Sequence, residues 1–191
     1  MGKRRSRAPR KTVAERLADG EMSHEEALDA AREAVLRILT ATQKSRHELE
    51  QALARKGYPE SVVTPLLDRF DDVGLVDDVA YAGTIVRTRQ GERGLARRAI
   101  SEELRRRGID EETATEALDQ IDPEDERAAG ARLAEKLVVK TRGKERDVRV
   151  RRAVGSLARK GYAPGLAFEL VRDALAADGE ETDDLPGTDD W

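Results

Sequence analysis

His24 and His47 are the chain's first candidates for metal or acid–base chemistry. They lack the four-residue spacing that sets two imidazoles on one helix face, and the sequence holds no cysteine to complete a ligand set. Both read as exposed first-turn residues of helices. Asp71/Asp72 and Asp77/Asp78 pair carboxylates, yet each pair flanks a helix boundary, where capping and solvation account for it. Gly91–Glu92–Arg93–Gly94 reads as a loop between basic helices rather than a phosphate cradle. There is no phosphate-loop pattern, no dinucleotide fingerprint and no nucleophile elbow. No enzyme, cofactor or metal is therefore expected.

Surface charge remains. The 191-residue chain carries a net charge of −4, spread very unevenly. Residues 1–19 hold seven Lys/Arg against two acids, and residues 178–191 hold seven acids and no base. Between them, Arg87 to Arg107 contains eight arginines, and Leu133 to Lys160 contains ten basic residues. Spacing predicts three cationic rows: Arg93, Arg97 and Arg105 on one helix, Arg132, Lys136 and Lys140 on a second, and Arg149 with Arg152 on a third. These rows have few acids at i±4, so each like pair repels by a few tenths of a kcal/mol. A face kept that way points to an anionic partner, either phosphate or an acidic protein groove. Aromatics make up only 3% of the chain, which argues against base stacking as a way of reading single strands.

The elements that position these rows follow from a repeat. ALARKGY (52–58), ELRRRGI (103–109) and SLARKGY (156–162) each place a Leu four residues before a Gly, with cations between and an apolar residue after. Cations in a last turn followed by glycine mark a helix C-terminus. Ser23-x-x-Glu26 and Ser45-x-x-Glu48 predict capped helix starts, and Asp122–Pro123 predicts a third. Pro65 predicts a late start or a kink in the helix after Pro59. Further helices are expected near Asp77, Gly94, Asp110, Glu145 and Pro164. No stretch alternates with period two, so no sheet is expected. The apolar residues are mainly Ala, Leu, Val and Ile, which also favours helices.

The expected fold is all-α, with three tandem three-helix repeats over 23–74, 75–122 and 123–177 in an elongated, curved array. A unit of about 50 residues buries little surface alone, and stacking remedies that. Residues 1–22 are expected as a disordered basic arm, and 178–191 as a disordered acidic tail that folds back on the basic rows. Asp77 is the expected N-cap of the fourth helix of the array, and Asp78 favours the positive end of its dipole. Val76 and Tyr81 form a hydrophobic staple across that cap. Together these four residues read as the joint between the first two repeats. No apolar run approaches the roughly 20 residues that span a membrane, and a cytosolic monomer is expected.

LVDDVAYA (75–82), the arginines that follow, Gly94, Ile100 and Leu104, and the RRGI terminus together resemble the RecX regulatory family. The likeness runs over roughly residues 24–177. It implies a cytoplasmic modulator of the recombinase RecA, acting in recombination, DNA repair and the SOS response. Such a protein lies in the groove of the RecA–DNA filament and reduces ATP hydrolysis, strand exchange and repressor cleavage. On this reading Arg87, Arg89, Arg93, Arg97, Arg98 and Arg105 contact the partner, with Arg132, Lys136, Lys140, Arg149 and Arg152 as a second patch. The alternative is a helical DNA-binding protein, because the helix pair around residues 93–108 could mimic a helix-turn-helix.

Overall fold

The computed structural model describes residues 11–182. Among them the chain is all-α, with ten helices and no strand. It divides into two compact units, residues 1–81 and 82–191, so the boundary falls between Tyr81 and Ala82.

The first unit is built on α2 (His24–Ala41), α3 (Arg46–Arg55) and α4 (Glu60–Asp72). Ser23 and Ser45 open α2 and α3 with reciprocal capping boxes to Glu26 and Glu48, as the spacing predicts. Ala27, Ala31 and Ala34 present a small-residue face on α2, which lets its neighbours approach closely. Leu49 and Leu53 of α3 and Val62, Val63, Leu66, Leu67 and Phe70 of α4 complete the core. Burying one such leucine is worth about 2 kcal/mol. α4 begins at Glu60 despite Pro65, so the late start expected there does not occur.

Residues expected to be an unstructured arm form a helix instead. α1 (Val13–Ala18) opens with a capping box between Thr12 and Glu15, and Val13 and Leu17 pack on the first core. Residues 1–10 lie outside the described residues.

α5 (Asp78–Arg93) crosses the boundary between the units. The second unit continues with α6 (Arg97–Arg106), α7 (Glu111–Leu118), α8 (Pro123–Lys140), α9 (Arg146–Arg159) and α10 (Pro164–Ala177). Its largest core joins α8, α9 and α10 through Ala134, Val138, Val150, Leu157, Phe168 and Val171, and takes in Ala96. Gly130 of α8 lies under Tyr162 and Leu170; a Cβ there would sit 2.7 Å from each side chain.

The three glycine turns close as the repeat predicts. Gly57, Gly108 and Gly161 all have positive φ. In each, the glycine N–H donates to the carbonyl three residues back, and the next N–H donates to the carbonyl of the repeat's leucine: Leu53, Leu104 or Leu157. Gly94 behaves differently from expectation. It does not start a helix but follows α5 in the left-handed region, with φ +56°, and α6 begins only at Arg97. Gly91–Arg93 are the last turn of α5 rather than a loop.

Candidate basic groove

Gly94 decides where the arginines of α5 end up. Because it stops α5 at Arg93, Arg93 is not on the same helix as Arg97 and Arg105, and the expected three-arginine row is broken. The turn that results is fastened to the turn after α9. Ala96 N–H donates to the Lys160 carbonyl at 2.9 Å, Tyr162 Oη donates to the Gly94 carbonyl at 3.2 Å, and Lys160 Nζ donates to the Arg93 carbonyl. Burial pushes the Tyr162 phenol up to about 12, so it remains a donor at neutral pH.

The consequence is a groove of about 540 Å³ between the end of α5 and one face of α8. Arg87 and Arg93 line it from α5, Arg132 and Lys136 from α8, and Lys160 from the turn between α9 and α10. Glu92 and Asp125 are its acids, so five cations face two carboxylates. Among the described residues, Arg87, Arg93, Arg132 and Lys136 have no carboxylate within ion-pair distance; Arg87 bonds only the Thr84 hydroxyl. An excess of cations in a concave site attracts polyanions more strongly than the same charges dispersed. The groove contains no nucleophile paired with a base.

The two patches chosen from the sequence thus meet only in part. Arg87 and Arg93 join Arg132 and Lys136. Lys140 and Arg152 stay exposed and Arg105 lines a separate cavity beside Ile109 and Ala114. Four expected partner-binding arginines are already engaged within the chain. Arg89 holds Glu103 through two bonds of 2.7 Å, Arg97 holds Asp119 and the Leu118 carbonyl, and Arg98 faces Glu102. Arg149 is the clearest correction. It is 2% exposed, not on a solvated face, and donates to the Val138 carbonyl, Asp178 and Glu180. The acids at i±4 were indeed few, but the neutralising carboxylates come from distant sequence. Lys160 is the groove residue that sequence reasoning passed over, although the RKGY turn carries it.

The acidic end behaves partly as expected. Asp178, held down to about 2 by hydrogen bonds from Arg142 and Arg149, and Glu180 fold onto basic residues; Arg146 donates to the Glu181 carbonyl. Residues 183–191 lie outside the described residues.

At the start of α5, Asp77 Oδ1 accepts from Ala80 N–H at 2.8 Å and caps the helix. Val76 and Tyr81 are buried, as a staple requires. Asp78 does more than complement a dipole. Its carboxylate accepts the Arg46 N–H at 2.9 Å, and Tyr81 Oη donates to Glu48 at 3.2 Å, so the starts of α3 and α5 are tied together. The histidines stay apart: His47 lies 2.8 Å from the Gln51 amide nitrogen, and no group of three metal-ligating side chains gathers among the described residues. No described helix is long and apolar enough to cross a membrane.

The fold and groove define a helical repeat protein with a cationic groove. Comparison with known proteins narrows this. Residues 31–70 match the RecX first three-helix domain, and residues 77–118 match the RecX second three-helix domain. Regulatory protein RecX of Thermobifida fusca is 45% identical over 164 residues, covering 86% of this chain and 89% of that protein. Regulatory protein RecX of Streptomyces coelicolor is 42% identical over 158 residues, covering 83% and 84%. A crystal structure of a regulatory protein RecX superposes with a TM-score of 0.70 at 24% identity, over 88% of this chain and 82% of that one. RecX from Lactobacillus salivarius gives 0.68 at 23% identity, over 78% and 97%. The chain belongs to the RecX family of regulatory proteins.

Proposed function

We infer that this chain regulates RecA by binding the RecA–DNA filament, and that it lowers the filament's ATP hydrolysis, strand exchange and co-protease activity. The single observation that carries this reading is the groove, where five cations from three separated segments converge against two acids. A filament repeats its surface, so one groove contact per bound chain is multiplied by neighbouring weak contacts. Inhibition follows if the chain binds one filament state better than another. Family membership supports RecA as the partner, and a cytoplasmic monomer is the form in which it would act.

The test is a titration of RecA's DNA-dependent ATPase. Wild-type chain is expected to inhibit well below one chain per protomer. Arg132→Glu with Lys136→Glu should raise the inhibitory midpoint at least about tenfold, since charge reversal in a cationic cleft acts on both attraction and desolvation. Arg152→Glu, outside the groove, should shift it less than about threefold. Unchanged ATPase with the wild-type chain sinks the proposal.

The second reading, direct action on DNA, draws on the same cations. Five phosphate contacts would make log K for bare DNA fall with a slope near −4.5 per log unit of salt, about −0.9 per contact. A slope that steep without any effect on RecA favours this reading.

A further inference from the structure

The three repeat turns place different residues after their glycine: Tyr58, Ile109 and Tyr162. All three close with the same pair of backbone hydrogen bonds, so closure needs no hydroxyl at that position. Tyr58 is half-buried, and among the described residues its hydroxyl makes no hydrogen bond. Tyr162 is 2% exposed, and its hydroxyl reaches the Gly94 carbonyl at 3.2 Å, 68 residues away in the chain. The turn itself does not call for that phenol.

The neighbours of Tyr162 show what it holds. Its ring lies against α8 at Gly130, where a Cβ would come within 2.7 Å of Tyr162 Cε1. Glycine there lets the ring sit closer to the helix than any other residue would allow. Arg132 and Lys136, two and six residues further along α8, stand in one wall of the groove. Gly94 belongs to the other wall, next to Arg93. Tyr162 does not line the groove but stands behind it, with its ring on one wall and its hydroxyl on the other. The bond from Ala96 N–H to the Lys160 carbonyl joins the same two turns, yet it includes no residue of α8. An anion gains from cations on both walls only if they stand at the right separation, and sites of this kind need their groups held within about 0.5 Å.

We propose that Tyr162, seated on Gly130, is a positioning residue for the groove. It holds the Arg93 wall and the Arg132 wall at a fixed separation, so that the filament's anionic surface engages both at once. This rests on the filament reading given above and assigns to the groove a residue that carries no charge and touches no ligand.

The experiment titrates the full chain and its variants against the DNA-dependent ATPase of RecA filaments, well below every variant's unfolding temperature. Tyr162→Phe keeps the ring on Gly130 and removes only the hydroxyl. It should raise the inhibitory midpoint about fivefold while lowering the thermal unfolding midpoint by only about 3 °C. Arg132→Ala should also raise the inhibitory midpoint about fivefold. In the double variant the two effects should overlap, giving about fivefold to tenfold rather than the ~25-fold product of independent sites. Val171→Ala lies in the same α8–α10 core and does not line the groove. It should lose at least as much thermal stability and leave the inhibitory midpoint within about twofold. A full product in the double variant overturns the proposal, as does a shift with Val171→Ala as large as with Tyr162→Phe, because Tyr162 would then be structural only. An unchanged midpoint for Tyr162→Phe beside a shifted one for Arg132→Ala overturns it and leaves the groove reading standing. If neither variant shifts the midpoint, the groove is not the contact, and both readings fall together.

Discussion

The helices α2–α4 and α8–α10 repeat one plan: a long first helix, a middle helix ending in Arg-Lys-Gly-Tyr, and a last helix whose apolar face closes the core. They handle charge in opposite ways. In the first, Arg46 gathers Glu50, Asp68 and Asp71 around one guanidinium at the surface. In α8–α10 and the turn that follows, Arg149 is buried with Asp178 and Glu180, while Arg132 and Lys136 are left open to solvent. The same backbone plan therefore tolerates cations as surface glue, as a buried fastening, or as an open binding face. Which one results depends on where the nearest carboxylate falls in the chain.

The two glycine turns give the largest expected contrast. Gly161→Ala places a side chain in the left-handed region, worth about 1–2 kcal/mol, and drives its Cβ to 2.7 Å from the Ala99 backbone nitrogen. Backbone on both sides is anchored, so a total loss of about 4 kcal/mol is expected. Gly57→Ala carries the same conformational cost but meets only the Thr12 end of a weakly held helix, which can lift away; about 1–2 kcal/mol is expected. Urea unfolding of both variants measures the difference. Equal losses would mean that α1 is as firmly seated as α6.

A smaller contrast separates the two arginine hubs. Arg149→Ala empties a buried site, leaves the Val138 carbonyl without that donor and takes one partner each from Glu180 and from Asp178, which keeps Arg142, and about 3 kcal/mol should be lost. Arg46→Ala removes three pairs from a side chain that is 28% exposed, so about 1 kcal/mol is expected. Thermal denaturation ranks the two directly. A larger loss at Arg46 would reverse the reading of which hub is structural.

The comparison also shows why some features were readable in the sequence. Capping boxes, Asp122–Pro123 and the glycine turns depend on residues within five positions of one another, and the structure has each where that local spacing puts it. Arg149 was misplaced because its surroundings, Val138 and Asp178, lie 11 and 29 residues away. Its spacing relative to Val150 and Leu157 reads as a solvated face; the acidic end expected to fold back on the basic rows supplies its partners, but nothing local signals that the guanidinium is buried with them. The groove was half legible. Helical spacing found Arg132 and Lys136, and the arginine run included Arg87 and Arg93, but only the Gly94 turn brings the pairs and Lys160 together. α1 did carry a local signal, Thr12-x-x-Glu15, which the surrounding basic composition obscured.

The smallest expected effect concerns acid. In the second unit one carboxylate, Glu103, is shared by two guanidiniums, the inverse of the Arg46 hub. Hydrogen bonds from Arg89, opposed by burial and reinforced by Arg107, hold its carboxyl down to about 2 from the usual 4.5. A carboxylate whose pKa is lower in the folded chain stabilises it above the unfolded value, and that contribution disappears as pH falls through the folded one. Glu103 should therefore contribute on the order of 2 kcal/mol at pH 7, fading between about pH 4.5 and pH 2. Glu103→Gln loses that contribution at neutral pH, so its stability curve should converge on the wild-type curve in acid. Asp71→Asn, which removes one of three acids around Arg46, should cost under about 1 kcal/mol. Wild-type and Glu103→Gln curves that stay parallel down to pH 2 would show that packing, not the shared charge, ties α5 to α6.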